Sequence, residues 1–209
     1  MAVSKSYRPN GTVTVHFPQS PLTGELAAIS DCHDDAAVQP SMMGAMYTVD
    51  ELDRPVKLEG IPLPDTGAPS PMVFVEEHHL VLSYWLCDQP PYPPTTAPLA
   101  IVRFSRPYFH MFGPPNDEAF AGHPLADRGL DPYGAFRVEK SSLIRSLERM
   151  NSVHRCHNPT TFDAMTHYIF TFHDSTFECV AHGYDSSIVR GPIASTVPQM
   201  ASLVYLGRE

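Results

Sequence analysis

The sequence predicts an α+β domain: a mostly antiparallel β-sheet with one well-defined helix, at about residues 142–151, packed on it. Three observations predict this. Short runs rich in β-branched and aromatic residues recur along the chain, bounded by Pro, Gly, Asp or Ser, as sheet strands are. The 22 prolines, about twice the usual share, fall in clusters that cut the chain into short elements and ordered loops. One segment carries an apolar stripe at helical spacing behind a serine cap.

In chain order, strands are expected at 12–17, 44–49, 72–75, 79–87, 99–104, 108–112, 135–139, 167–173 and 176–182, joined as an antiparallel sheet in succession. EEHH, Glu76 to His79, is the turn between two of them. The helix is capped by Ser141 or Ser142, presents Leu143, Ile144, Leu147 and Met150 to the sheet, and closes at Asn151. A weaker helix is expected over 196–205, with Pro198 near its start. Residues 20–40 give no assignment. DQPPYPPTTAP, Asp88 to Pro98, reads as a proline-rich connection between strands, although its P-x-x-P also suits a partner domain. The whole chain, 1–209, reads as a single domain, with 1–70 a peripheral extension.

Composition narrows the function classes. At 209 residues the chain can bury roughly 70% of its unfolded surface. With 43% hydrophobic and 18% charged residues, and no apolar run approaching the ~20 residues of a membrane span, it reads as soluble. The start, MAVSKSYRPN, has no apolar run behind its basic residues, so a cytoplasmic location is expected. A net charge of -9 argues against nucleic-acid and acidic-membrane partners, both of which need a positive field. Cys32, Cys87, Cys156 and Cys179 are too far apart for a disulfide framework or zinc ribbon and are expected as thiols, Cys179 in the core. The chain has no G-x-G-x-x-G, Walker-type loop, H-E-x-x-H or G-x-S-x-G.

The stretch FTFHDSTFECVAH, Phe170 to His182, predicts a hairpin turning at HDST. Pairing Phe172 with Phe177, Phe170 with Cys179 and Tyr168 with Ala181 makes one face wholly apolar. The other face then pairs His167 with His182, Thr171 with Glu178 and His173 with Thr176. In that register Glu178 lies two pairs, roughly 13 Å, from the two histidines and is not expected to share a metal with them.

Catalytic candidates follow from loops carrying a carboxylate near a histidine, the minimum equipment of a general base. FGPPNDEAFAGHPL offers Asp117, Glu118 and His123; the hairpin offers His173. On the basic helix Arg145 and Arg149 could clamp an anionic substrate. His154 and His157 flank Cys156 just past the helix and, with His167 and His182, are the metal candidates, although no standard zinc spacing is matched. His110, in YFHMF, is expected in the core.

These residues lead to two expectations. In one, the chain is a small-molecule enzyme, its cofactor if any a divalent metal ion, with a site where the 116–123 loop, the 154–157 turn and the 173–178 hairpin converge. In the other it is a non-catalytic accessory protein that covers a basic partner surface.

The pieces FGPPNDEAFAGHPL, LERMNSVH and YIFTFHDSTFECVA resemble an uncharacterised bacterial protein family over roughly Leu80 to Ala181. That resemblance implies no activity, cofactor or residue role.

Overall fold

The computed structural model describes residues 4–7, 13–16, 47–86 and 97–205. The chain divides into two compact units, Met1–Met42 and Met43–Glu209. In the first, β1 (Ser4–Tyr7) and β2 (Val13–His16) pair antiparallel, Ser4 opposite His16.

The second unit contains β3 (Arg54–Lys57), β4 (Met72–Val75), β5 (Leu80–Trp85), β6 (Pro98–Ser105), β7 (Phe109–Gly113) and β8 (Ala135–Glu139). The helix α1 (Ser142–Asn151) follows, then α2 (Thr160–Asp163), β9 (Thr166–Thr171), β10 (Thr176–Ala181), β11 (Gly183–Arg190) and α3 (Ile193–Tyr205). Every strand pairing is antiparallel. The strands form two sheets, ordered β3-β8-β9-β10-β7 and β11-β6-β5-β4.

The inner faces of the sheets meet in the main core. Leu80, Leu82, Tyr84, Val102 and Phe104 of the smaller sheet pack with Tyr168, Phe170, Phe177, Cys179 and Ala181 of the larger. Each sheet also buries its outer face. Met200 and Val204 of α3 cover Val81, Leu99 and Ile101, which explains why β5 reads as nearly continuous apolar sequence. On the outer face of the five-stranded sheet, Phe120, Leu125 and Leu130 from the 114–134 loop cover Phe136 and Ile169. Leu143 and Leu147 of α1, with Tyr47 and Phe162, cover Val180. Polar residues on that outer face are therefore enclosed.

The α+β class and the helix at 142–151 match the expectation, and Ser141 is the cap, accepting from the Ile144 N–H at 3.3 Å; of the expected stripe Leu143, Ile144 and Leu147 pack inward, but Met150, at the end of the helix, is exposed. The EEHH turn also forms, closed by a Glu76–His79 backbone bond of 3.0 Å. Several expectations need correction. In the second unit the strands build two sheets instead of one. Three described strands are not among those expected: β1 in the first unit, and in the second β3 and β11, which lie at sheet edges, where β3 tolerates Pro55 and β11 exposes Asp185, Ser186 and Ser187. Residues 47–49 are not a strand. The last helix begins at Ile193 and carries Pro198 inside it. Residues 1–70 are not peripheral as a block: Tyr47 and Ile61 are buried, and Arg54–Lys57 pairs with Glu139–Phe136. His110 is exposed, because alternate residues of β7 point away from the outer-face cover. Cys179 is buried and Cys156 exposed, both as free thiols. Cys32, Cys87 and the segments 20–40 and 88–96 lie outside the described residues. Among the described residues no helix is long and apolar enough to cross a membrane.

Candidate functional site

The hairpin determines which polar groups meet. Its turn closes one residue earlier than the sequence suggests, on a Phe172 N–H to Ser175 carbonyl bond of 2.8 Å. Pairing therefore slides by two: Phe177 faces Phe170, Glu178 faces Ile169, and Val180 faces His167. A slide of two keeps every side chain on its face, so the apolar side survives while the polar neighbours change. Glu178 and His167 become diagonal neighbours, within reach of long side chains. His182 lies beyond the ladder, its N–H bonded to the Ser105 carbonyl at 2.9 Å. In this register the His173 carbonyl accepts the Asp117 N–H at 2.9 Å, so His173 bonds the neighbouring loop instead of pairing with Thr176.

Two polar clusters result. The first is enclosed. The Glu178 carboxylate, its side chain 1% exposed, accepts from His123 Nε2 at 3.0 Å, His167 Nε2 at 2.6 Å and the Tyr47 hydroxyl at 2.9 Å. Burial alone would push this carboxyl up, but the bonds from His123 and His167 prevail and hold it at about 2. Burial, and then the Glu178 charge, push the Tyr47 phenol far above its usual range. His123 Nδ1 accepts the Leu125 N–H at 3.1 Å, so the ring proton sits on Nε2, facing Glu178. His167 Nδ1 lies 2.9 Å from Ser141 Oγ, joining the helix cap to β9. The cluster ties the 114–134 loop and the Tyr47 segment to β10, and α1 to β9.

The second cluster is at the surface. Asp117 Oδ2 accepts from His173 Nδ1 at 2.8 Å and from the Tyr133 hydroxyl. The Tyr133 and His173 rings stack at 6.3 Å with their planes 21° apart. The Tyr133 hydroxyl, ahead of the opposing effect of burial and the help of His173, holds Asp117 below the usual carboxylate range. The hydrogen bond to Asp117 raises His173 above its usual value, against a smaller opposing effect of burial. The same carboxylate raises the Tyr133 phenol. His173 is 41% exposed and Asp117 18%. Tyr133 has a φ of 58°, a left-handed conformation unusual for a non-glycine residue and one that concentrates at functional sites. It places the phenol beside Asp117 while Gly134, the next residue, bonds Thr171 of β9.

The structure separates the sequence candidates. Asp117 and His173 meet, and Glu118 is exposed beside them, its charge adding to the rise in His173. His123, expected as a catalytic base, is buried against Glu178 because Phe120 and Leu125 close over it. The 154–157 turn does not join the site: it precedes β9, while the His173 turn follows it, so the strand separates them. His154 Nδ1 accepts from the Cys156 N–H at 3.2 Å, and His157 sits between Asn151 at 3.0 Å and Glu148 at 2.7 Å. Arg145 pairs with Asp50, and Arg149 bonds Ser146 of its own helix at 2.9 Å.

A metal does not fit these arrangements. Among the described residues no group of three or more His, Cys, Asp or Glu could hold one. In the buried cluster a ligating imidazole nitrogen would have to be unprotonated, whereas His123 Nε2 carries the proton it gives Glu178.

Sequence reading missed Tyr47 and Tyr133. Tyr133 had a partial signal: in DPYG it stands in a turn, and only its backbone conformation aims the ring. Tyr47 had none, because its partner is 131 residues away.

Searches against protein-family models, curated proteins and solved structures find no match for the chain.

Proposed function

We propose that the second unit is a small-molecule enzyme that works by general acid–base catalysis at His173. One observation carries this reading: a carboxylate orients the imidazole through Nδ1 and leaves Nε2 without a hydrogen-bond partner among the described residues, on a side chain 41% exposed. With Nδ1–H donated to Asp117, the Nε2 lone pair can take a proton from a substrate O–H, N–H or acidic C–H. Asp117 then stabilises the imidazolium and fixes its tautomer. Tyr133 donates to the same Asp117 oxygen and lies against the His173 ring, restraining the dyad. The carboxylates Asp117, Asp174 and Glu118 around His173 favour neutral or cationic substrates, and the arginines of α1 share none of these contacts.

The test is consumption of compounds from a small-molecule metabolite mixture, followed by mass spectrometry, with wild type, His173→Gln, Asp117→Asn and Tyr133→Phe. A compound turned over by wild type and slowed at least ~100-fold in His173→Gln supports the reading. Asp117→Asn should also lower the His173 pKa, moving the acidic limb of the rate profile to lower pH. Turnover that His173→Gln leaves unchanged, or the absence of any turnover, contradicts it.

A further inference from the structure

A cavity of about 450 Å³ opens where the end of β8, the start of α1 and the 162–166 segment meet, lined by none of the residues of the His173 site. Its volume falls in the range of small-molecule sites. Antiparallel pairing explains the meeting: Val138 faces His167, so the residues that follow β8 lie beside those that precede β9. A second hollow, between α1 and α2, adjoins it, and Ile144, Arg145, Phe162 and Asp163 line both.

The charges on its wall set its chemistry. Arg137 pairs with Glu139 at 2.9 Å, and Arg145 pairs with Asp50. One cation and one anion are left over. Lys140 and Asp163 are both exposed on this cavity, and neither the ammonium nor the carboxylate has a partner among the described residues. Lys140 also has a φ of 52°, a left-handed conformation that glycine would hold with less strain, and the Arg145 guanidinium fixes it by donating to the Lys140 carbonyl. The turn needs only the backbone, so a lysine there is accounted for by a task for its side chain. Leu52, Ile144, Phe162 and Met165 make much of the remaining wall apolar, and Leu52, 47% exposed, is one of the large hydrophobic side chains that the fold leaves uncovered.

We infer that this cavity binds a free α-amino acid with a large apolar side chain, its carboxylate at Lys140, its ammonium at Asp163 and its side chain over Leu52 and Ile144. A zwitterion carries both charges on one carbon, so it answers two opposite charges that do not pair with each other. A simple anion would meet repulsion from Asp163, and a simple cation from Lys140. This inference does not rest on the His173 reading, and the two can fail separately.

The test is a titration of the full chain with L-leucine, leucinamide and N-acetyl-leucine, followed by amide NMR shifts. Leucinamide keeps the ammonium and lacks the carboxylate; N-acetyl-leucine is the reverse. Expected are saturable shifts with L-leucine at Lys140, Ile144, Phe162 and Asp163, and affinity about tenfold lower for either analogue. Lys140→Gln should weaken L-leucine about tenfold and leave leucinamide unchanged, whereas Asp163→Asn should weaken L-leucine and leave N-acetyl-leucine unchanged. Unchanged thermal melting of both variants guards against loss of the fold, since both side chains are exposed. Absence of saturable shifts at millimolar L-leucine, shifts centred elsewhere, equal binding of the three compounds, or undiminished L-leucine affinity in either variant overturns the inference.

Discussion

Replacing Glu178 by Gln isolates the interaction that joins three segments over the five-stranded sheet. Three donors converge on this buried carboxylate, at 3.0, 2.6 and 2.9 Å. An amide offers one acceptor oxygen and turns an NH2 toward a histidine or tyrosine donor, so at least one buried donor is left unsatisfied. Losing charge-assisted bonds and stranding a donor costs about 3–5 kcal/mol. At about 2 kcal/mol per molar urea, the unfolding midpoint should fall by roughly 2 M. The pH dependence tests the cause. Folding lowers Glu178 from its ordinary 4.5 to about 2, so its stabilisation is complete above pH 4.5 and is lost as pH falls toward 2. At roughly 1.4 kcal/mol per pH unit that interval amounts to about 3 kcal/mol. Urea unfolding from pH 7 down to 3 should show wild type converging on Glu178→Gln. A variant within 1 kcal/mol of wild type at pH 7, or two parallel pH curves, would refute the reasoning.

Other outcomes follow from single contacts. Gly134→Ala would place a Cβ 2.7 Å from the buried Phe136 ring, so stability should drop by about 1–3 kcal/mol in thermal melts. Ser141→Ala removes both the α1 cap and the partner of His167 Nδ1, and should cost about 1–2 kcal/mol in urea unfolding. Burial raises the Cys179 thiol well above its usual range, so iodoacetamide labelling read by peptide mass spectrometry should modify Cys156 and spare Cys179 until the chain is denatured.

The sequence disclosed whatever depended on local periodicity. The α1 stripe as far as Leu147, its serine cap, the EEHH turn and the alternation in β9 and β10 all reflect neighbours a few residues apart, whereas Met150, expected on the stripe, is exposed. Partition into two sheets was hidden because β5 and β6 bury both faces and lack the alternation that marks one. The edge strands β3 and β11 were hidden by Pro55 and by the polar run Asp185 to Ser187, tolerable only where one side of a strand is unpaired. In the site, Asp117 and His173 were legible as a carboxylate and a base on loops. Their union was not, because it depends on the hairpin register and on a loop contact between residues 56 apart in sequence. The two-residue slide brings Glu178 beside His167, which the assumed pairing keeps apart, and the cover of Phe120 and Leu125 makes His123, expected as a base, a buried strut against Glu178.

The central claim is that Asp117 poises His173 as a base with Nε2 as its basic nitrogen. Nitrogen-detected NMR of the His173 ring across pH 5 to 9 tests it most directly. The account predicts that the neutral ring carries its proton on Nδ1 and titrates above the ~6.5 of an unperturbed histidine, with the elevation lost in Asp117→Asn. A proton on Nε2, or a wild-type pKa at or below that of the variant, would contradict it.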